Sequence, residues 1–505
     1  MLPLIRNLAT TLRARWAVRE PRPTNILELL ALLALLGFLD PMSEAVALIE
    51  RKMRAAGLSD VAIQAFLFQY QKLLGNDTGL IPEAAIEPID QLPKLDEREL
   101  PESIGSYLRQ TLVLKLNGGL GTSMGLEKAK SLLRVRNELS FLDIIVRQFL
   151  YLRATTAPGL ALYFMNSFST SEDTLQSLQG YPELGDPKLM ELLQNRVPKI
   201  DKGSLLPISW PQNPSLEWCP PGHADLYICL FGTGLLERLL AARKKYLFVS
   251  NADNLGATLD ANLLRFFAES EAPFLMEVTR RTPSDRKGGH LARRLDTHRL
   301  LLRESAQCPE EDMADFQDIE RHRYFNTNNL WIRLDRLFEE LTRGAGFIPL
   351  PLIRNEKTVD PRDKKSPKVF QLEAAMGAAV ECFEGAAAVE VPRSRFSPVK
   401  TTSDLLAVRS DAYEVDKSFR VGLRPERGGV PPKVELSDDY KLVDQLEELV
   451  AAGVPSLVRS RSLAVKGRWR FSEGIEIVGD VRFENGSGAV KTVEPGLYED
   501  CVVEG

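Results

Sequence analysis

Thr111–Ser131, TLVLKLNGGLGTSMGLEKAKS, decides how the rest of the chain is read. The apolar run Leu112, Val113, Leu114 reads as a strand that empties into a loop carrying Gly118, Gly119, Gly121 and Gly125, and the loop closes on Lys130. Glycines bring no Cβ against a ligand, and successive main-chain N–H groups in such a turn form a concavity that accepts anions. The stretch therefore reads as a nucleotide-binding loop. Spacing excludes two familiar alternatives. Position 126, five after Gly121, is Leu and position 124 is Met, so no GxxxxGK[ST] phosphate loop exists, and Gly119-x-Gly121 lacks the third glycine of a dinucleotide fingerprint.

Downstream of the loop the chain alternates in the manner of an α/β sheet. Ser140 with Asp143 predicts a capping box opening the helix FLDIIVRQFLYLRA, Ala161–Ser167 reads as a strand, and SFSTSEDT leads into another helix. Further strands are predicted at Tyr246–Asn254, Pro273–Thr279 and Arg323–Ile332, the last two separated by a charged surface insertion. The first and third end in clusters of Asn and Asp, and ligands of open α/β sheets sit at strand ends.

Upstream, Met42 to about Leu95 reads as a largely helical preface, with apolar residues every three or four positions. Ahead of it, Ile26–Leu39 is an apolar run of about fourteen residues, interrupted by Glu28 and short of the roughly 20 that a bilayer span needs. An amphipathic or buried leading helix is favoured there over a targeting segment, and no membrane association is expected. Past Asp411, RPERGGVPPKVELSDDY reads as a linker and DQLEELVAAGV as a short helix. From Ser462 onward Leu463, Val465, Trp469, Phe471, Ile475, Ile477, Val481 and Phe483 alternate with polar residues between glycine turns. That pattern suggests a small parallel β-helix, with a β-meander as the alternative.

The formal net charge of −5, from 64 basic and 69 acidic residues, is an ordinary soluble balance and argues against nucleic acid as a partner. Cations that meet phosphate must then be placed locally. Cys219, Cys229, Cys308, Cys382 and Cys501 show neither CxxC spacing nor an even count, so no disulfide framework or zinc site is predicted and a reducing cytoplasm is the simplest compartment. At 505 residues the chain should hold two or three domains around one large core. The expected division is a helical region 1–95, a catalytic domain 96–415, and a linker helix with C-terminal strands 416–505.

KLNGGLGTSMG followed by a lysine resembles, over eleven residues, the nucleotide-binding loop of the eukaryotic-type UDP-glucose pyrophosphorylases, the UTP:glucose-1-phosphate uridylyltransferases. LLQNRVPKI, WCPPGHADLY, SNADNLGA, DRKGGHL, FNTNNLW, VFQLEAAMGAA and VPRSRFSPVKTTSDLL resemble strings of the same family, so the likeness covers roughly residues 111–406. It implies an α/β fold with a GT-A-like (Rossmann-like) nucleotidyltransferase core around a mixed sheet, and a C-terminal β-helix. It also implies Mg²⁺ as cofactor and UTP, glucose 1-phosphate, UDP-glucose and pyrophosphate as ligands. For the nucleotide the implied residues are Leu116, Asn117, Gly118 and Gly119 of the loop, Gln194 at the uracil edge, Gly222 by the base or ribose, and His223 facing the α-phosphate. For the sugar they are Asn251, Gly289, Asn329 and Glu373. Lys130 is implied to meet the triphosphate, Lys400 the transferring phosphate, and Asp253 the metal.

Elementary chemistry agrees with these roles. A neutral amide at Gln194 donates and accepts at once, as an imide requires, and a carboxylate at a strand end suits Mg²⁺, which takes one or two carboxylates plus phosphate oxygens. Without the resemblance each is only a plausible turn or strand residue. Two departures stand out: Lys128-Ala129 where the family usually has Gly-Pro, and Ala224 where it has Gly. A UDP-sugar pyrophosphorylase of broader range, one for N-acetylhexosamine 1-phosphate, a catalytically silent nucleotide-sugar sensor and a homo-oligomer all remain open at this point.

Overall fold

The computed structural model describes residues 41–75, 77–95, 99–136 and 138–505; the helix expected at Ile26–Leu39 lies outside them. Thr111–Asn117 forms a central strand. Period-2 alternation sends Leu112 and Leu114 into an apolar layer with Leu226, Leu230 and Leu236, and Val113 into the opposite layer with Leu142 and Ile145. A strand buried on both faces must be covered twice. Asp225–Gly232, Leu235–Ala241 and Leu334–Arg343 supply helices to one face, and Phe141–Thr155 and Ala261–Ser270 to the other. The capping box at Ser140 and Asp143 forms as the sequence predicts.

Neighbours of the central strand fix the polarity of the ten-stranded sheet. Tyr246–Asn251, Thr111–Asn117, Ala161–Asn166 and Glu191–Leu193 run parallel, in register from Tyr246 opposite Thr111 to Asn117 opposite Asn166. Tyr324–Arg333 then pairs antiparallel with Tyr246–Asn251 and with Phe274–Arg280, which makes the sheet mixed. Trp331 is wholly buried on this strand, its ring 4.5 Å from that of Phe248.

Three sequence expectations need correction. The helical preface holds for Pro41–Ala55 and Asp60–Leu74, but Pro82, Pro88 and Pro93 break helical continuation, and Ile86–Pro88 instead becomes an edge strand on His290–Arg294. The stretch read as a linker contains the strand Lys433–Leu436, which pairs in parallel with Ser456–Lys466. That strand continues in parallel to Ile475–Glu484 and on to Gly496–Glu499 and Val502–Glu504, and Trp469–Phe471 pairs in parallel with Lys491–Val493. Parallel pairing of this kind is not a meander. The apolar side of these strands shares one core with Met124, Leu133, Val399 and Leu405, so the C-terminal region packs directly on the glycine loop and on the segment bearing Lys400.

The third correction concerns the charged insertion, which is a surface feature only in part, Leu295–Arg299 being exposed while Leu300–Arg303 is buried. It folds as a hairpin, His290–Arg294 with Leu300–Arg303, that joins the main sheet. Some of its charges pair inward: Arg303 meets Glu83 at 2.6 Å and Asp312 at 3.2 Å, His322 Nε2 lies 2.9 Å from Glu83, and the rings of His290 and His322 stack at 3.8 Å. Burial lowers the proton affinity of both imidazoles; the carboxylate of Glu83 offsets part of this at His322, while Arg281 and Arg303 add to it at His290. An imidazole held neutral in the folded chain takes its proton on unfolding, so below its ordinary pKa of about 6.5 the unfolded state binds more protons and stability falls with pH. The urea midpoint is expected to drop between about pH 7.5 and pH 5, and to drop less in His290→Phe; identical slopes would clear this histidine of the effect.

Candidate active site

Because the four central strands run in one direction, their C-terminal ends open along one edge, and a cleft of about 270 Å³ lies there. Leu116, Asn117, Gly118, Gly119, Lys130, Gln194, Gly222, His223, Asn251 and Asp253 line it. The loop is held at both ends. Asn117 Nδ2 donates to Asn166 Oδ1 at 2.8 Å and to Thr174 Oγ1 at 2.9 Å, and Lys130 N–H donates to the Gly119 carbonyl at 3.0 Å. A Cβ at Gly119 would meet no neighbour, so its main chain faces open space in the cleft. The Lys128-Ala129 departure has a local consequence: the Ala129 N–H donates to Asp173 at 3.1 Å, a bond that proline could not make.

Gln194 bridges the two walls. Its Nε2 donates to the Gly222 carbonyl at 2.8 Å, while its Oε1 lies 3.0 Å from where a Cβ of Gly118 would stand. The amide is thereby oriented with its oxygen free to accept. Gly222 adopts φ +84°, and a Cβ there would lie 2.4 Å from the Ala374 carbonyl, so this turn admits only glycine. Ala224, in contrast, has φ −65° and ψ −16°, ordinary values at which alanine costs nothing. His223 Nδ1 accepts from the Met376 N–H at 2.9 Å, which leaves the proton on Nε2. Burial pushes this imidazole down to about 4, so it is a neutral donor at physiological pH.

Across the cleft Lys130 Nζ lies 2.7 Å from Asp253 Oδ2. Asp253 Oδ1 is buried without a hydrogen-bond partner. Among the described residues no cluster of three or more His, Cys, Asp or Glu could hold a metal by itself. A lone carboxylate with one unsatisfied oxygen matches an ion that draws its other ligands from phosphate and water.

The remaining expected residues are arranged differently. Lys400 is exposed just beyond the cleft, and its segment is tied to the Asp253 turn by a bond from the Val399 N–H to the Asp253 carbonyl at 3.1 Å. Gly289 faces a carboxylate that sequence reading missed: a Cβ there would lie 2.5 Å from Glu304 Oε2. Burial raises the Glu304 carboxyl, and the charge of Lys400 opposes that rise. Glu373 is elsewhere, at the foot of the Gly222 turn, hydrogen-bonded with Asn355 and raised by burial. Asn329 is fully buried, its Nδ2 on Glu277 at 3.1 Å. Its neighbour Asn328, at φ +61° on an irregular stretch of strand, is the one whose Nδ2 reaches Asn251 Oδ1 at 3.0 Å. Neighbouring asparagines in FNTNNLW gave no signal to separate these positions, and a glutamate just after the charged hairpin had no motif to mark it.

Known proteins resemble this chain over most of its length. The family described as UTP--glucose-1-phosphate uridylyltransferase matches residues 63–477. The UTP--glucose-1-phosphate uridylyltransferase of Saccharomyces cerevisiae is 39% identical over 407 residues, covering 80% of each chain. A mutant UDP-glucose pyrophosphorylase of Leishmania major, solved in complex with UDP-glucose, superposes with TM-score 0.88 at 46% identity, over 92% of this chain and 99% of that one. A protein of Trypanosoma brucei described as UDP-glucose phosphorylase gives 0.85 at 45% identity, over 92% and 100%.

Gly256 is where the turn after Asp253 meets the Lys400 segment, since a Cβ there would lie 2.2 Å from the Ser394 carbonyl. Gly256→Ala is expected to displace that segment and lower kcat by roughly a hundredfold, the scale of a misplacement near 1 Å. Steady-state kinetics of the folded variant check this, and wild-type turnover would show that the close approach is unimportant.

Proposed function

The chain belongs to the UTP--glucose-1-phosphate uridylyltransferase family, and we propose that its cleft makes UDP-glucose and pyrophosphate from UTP and glucose 1-phosphate. A phosphate oxygen of the sugar ester attacks the α-phosphorus of UTP; the new P–O bond forms as the bond to the bridging oxygen breaks in line, and pyrophosphate leaves. No protein nucleophile is needed, because a phosphate monoester with second pKa about 6 is already largely dianionic at neutral pH. The obstacle is repulsion between anions. One observation carries this reading: Lys130, Asp253, Gln194 and His223 converge on a cleft lined by the open main chain of Gly118 and Gly119.

In this reading Gln194 Oε1 accepts the N3–H of uracil, its own amide being fixed by the Gly222 carbonyl. Leu116, Asn117, Gly118 and Gly119 carry the nucleoside, and the Nε2–H of His223 meets the α-phosphate as a neutral donor. Lys130 leaves Asp253 for the triphosphate, and Lys400 neutralises the incoming phosphate. Asp253, through its unpartnered Oδ1, would hold Mg²⁺, which supplies further neutralisation of phosphate charge when bound. The sugar hydroxyls are met by Asn251, Asn328, the Gly289 main chain and Glu304. Asn329 and Glu373 then support the site from behind. The order of the sheet supports reading the core as GT-A-like, and the parallel C-terminal strands support reading that region as a small β-helix.

Pyrophosphate release from UTP and glucose 1-phosphate, run beside galactose and N-acetylglucosamine 1-phosphates, tests the reaction; no release with any of them would refute it. Asp253→Ala and Lys400→Ala are each expected to lower kcat at least about a hundredfold, the effect of losing one preorganised electrostatic group. Gln194→Ala is expected to relax the preference for UTP over CTP, whose ring nitrogen presents an acceptor where uracil presents a donor. An unchanged UTP-to-CTP ratio of kcat/KM would take base reading away from Gln194.

A further inference from the structure

A second cavity, of about 300 Å³, lies on the Phe141–Thr155 side of the sheet, away from the residues of the nucleotide cleft. Its walls are apolar, built from Val113, Ile145, Phe149, Leu152, Leu160 and Leu162. Into this lining the central strand sends Lys115, a residue only 4% exposed. Lys115 Nζ donates to Ser250 Oγ at 2.7 Å and to the Ala257 carbonyl at 2.6 Å. An ammonium has three N–H groups, and the third has no protein acceptor among the described residues. No carboxylate is paired with this amine either: Glu277, whose charge reaches it, is engaged by Arg395. Burial accordingly lowers its proton affinity to about 7.

The rim adds cations. Lys417 and Arg420 border the cavity; Asp416, beside them, is occupied by its own loop, accepting from the Ser418 and Arg420 N–H groups and from the Ser418 hydroxyl. Gln148 braces that loop by donating to the Phe419 carbonyl at 2.8 Å. An apolar chamber with one buried amine that no carboxylate pairs with, and with a cationic rim, has the chemistry of a site for an amphiphilic anion, and its volume is within the range of small-ligand pockets.

We propose that this cavity is a second binding site, for a small amphiphilic carboxylate of aromatic or medium-chain aliphatic type, whose carboxylate meets Lys115 and whose apolar body fills the chamber. The occupant is felt at the catalytic edge. Lys115 lies two residues before Asn117 and the glycine loop, and Thr258, also in the lining, accepts from Arg395 Nη2 at 3.0 Å, in the segment that leads to Lys400.

The test uses the full chain, octanoate as probe, octanol as its neutral counterpart, and saturating UDP-glucose to fill the cleft. Calorimetry is expected to show saturable octanoate binding that persists with UDP-glucose present and is at least about tenfold tighter than octanol. Binding should weaken at least about tenfold in Arg420→Glu and in Lys115→Met, and disappear in Leu152→Trp, which fills the chamber. Should Lys115→Met fail to fold, the two other variants decide. Displacement by UDP-glucose, equal affinity for octanol, indifference to the variants, or no binding at about 10 mM would each overturn the site. Saturation is also expected to change kcat at least about twofold, and an unchanged kcat would overturn the coupling.

Discussion

Arg395 and Glu277 meet inside the sheet through hydrogen bonds of 2.6 and 2.8 Å, one side chain 8% exposed and the other not at all. Taking two such charges out of water costs several kcal/mol per ion, which their attraction offsets only if the remaining donors and acceptors are satisfied. Here they are. Glu277 also accepts from Trp331 Nε1 at 2.8 Å and Asn329 Nδ2 at 3.1 Å, and Arg395 reaches the Thr258 carbonyl. The Arg395 carbonyl accepts from Asn254 Nδ2 at 3.1 Å, and Asn254 Oδ1 accepts from the Ser397 N–H at 3.0 Å. Residues on either side of this knot, Asp253 and Lys400, are thus set relative to each other by an anchor that solvent does not loosen.

The pair inside the cleft behaves in the opposite way. Lys130 and Asp253 are 14% and 21% exposed, and partly hydrated ion pairs contribute little net stability. Such a pair opens at small cost. Without ligand each partner neutralises the other; in the function proposed above, a triphosphate takes the lysine and a divalent ion would replace it on the carboxylate. The deep ion pair fixes geometry and the shallow one exchanges partners.

How much of this could be read from the sequence follows from what each residue answers to. Strand ends and glycine turns were legible, because Gly222 and the strand Thr111–Asn117 are dictated locally, by a positive φ and by alternating burial. Gln194 and His223 were legible only through the strings around them. The inner part of the insertion was misread since Arg303, Arg321 and His322 look solvent-directed until Glu83, more than two hundred residues earlier, supplies their partner. Asn328 and Asn329 carry the same side chain and differ only in which face an irregular strand presents. Glu304 was passed over for a related reason: a carboxylate takes its role from what stands opposite, and the sequence does not say that Lys400 and Gly289 stand opposite Glu304.

The glycine loop itself makes few side-chain bonds, and its position is set by packing from remote parts of the chain. Gly121 and Gly125 are left-handed; a Cβ on the first would strike Leu126 and Lys130, and on the second Leu442. Met124, 1% exposed, lies in the core shared with the C-terminal strands. The loop therefore rests on residues that follow it by more than three hundred positions, while its far side faces the cleft. That division explains why a chain of net charge −5 can receive a triphosphate. In the proposed function neutral groups, Gln194 and His223, meet the base and the α-phosphate and cations stand only where phosphate charge would accumulate, while packing rather than charge holds the backbone that lies between them.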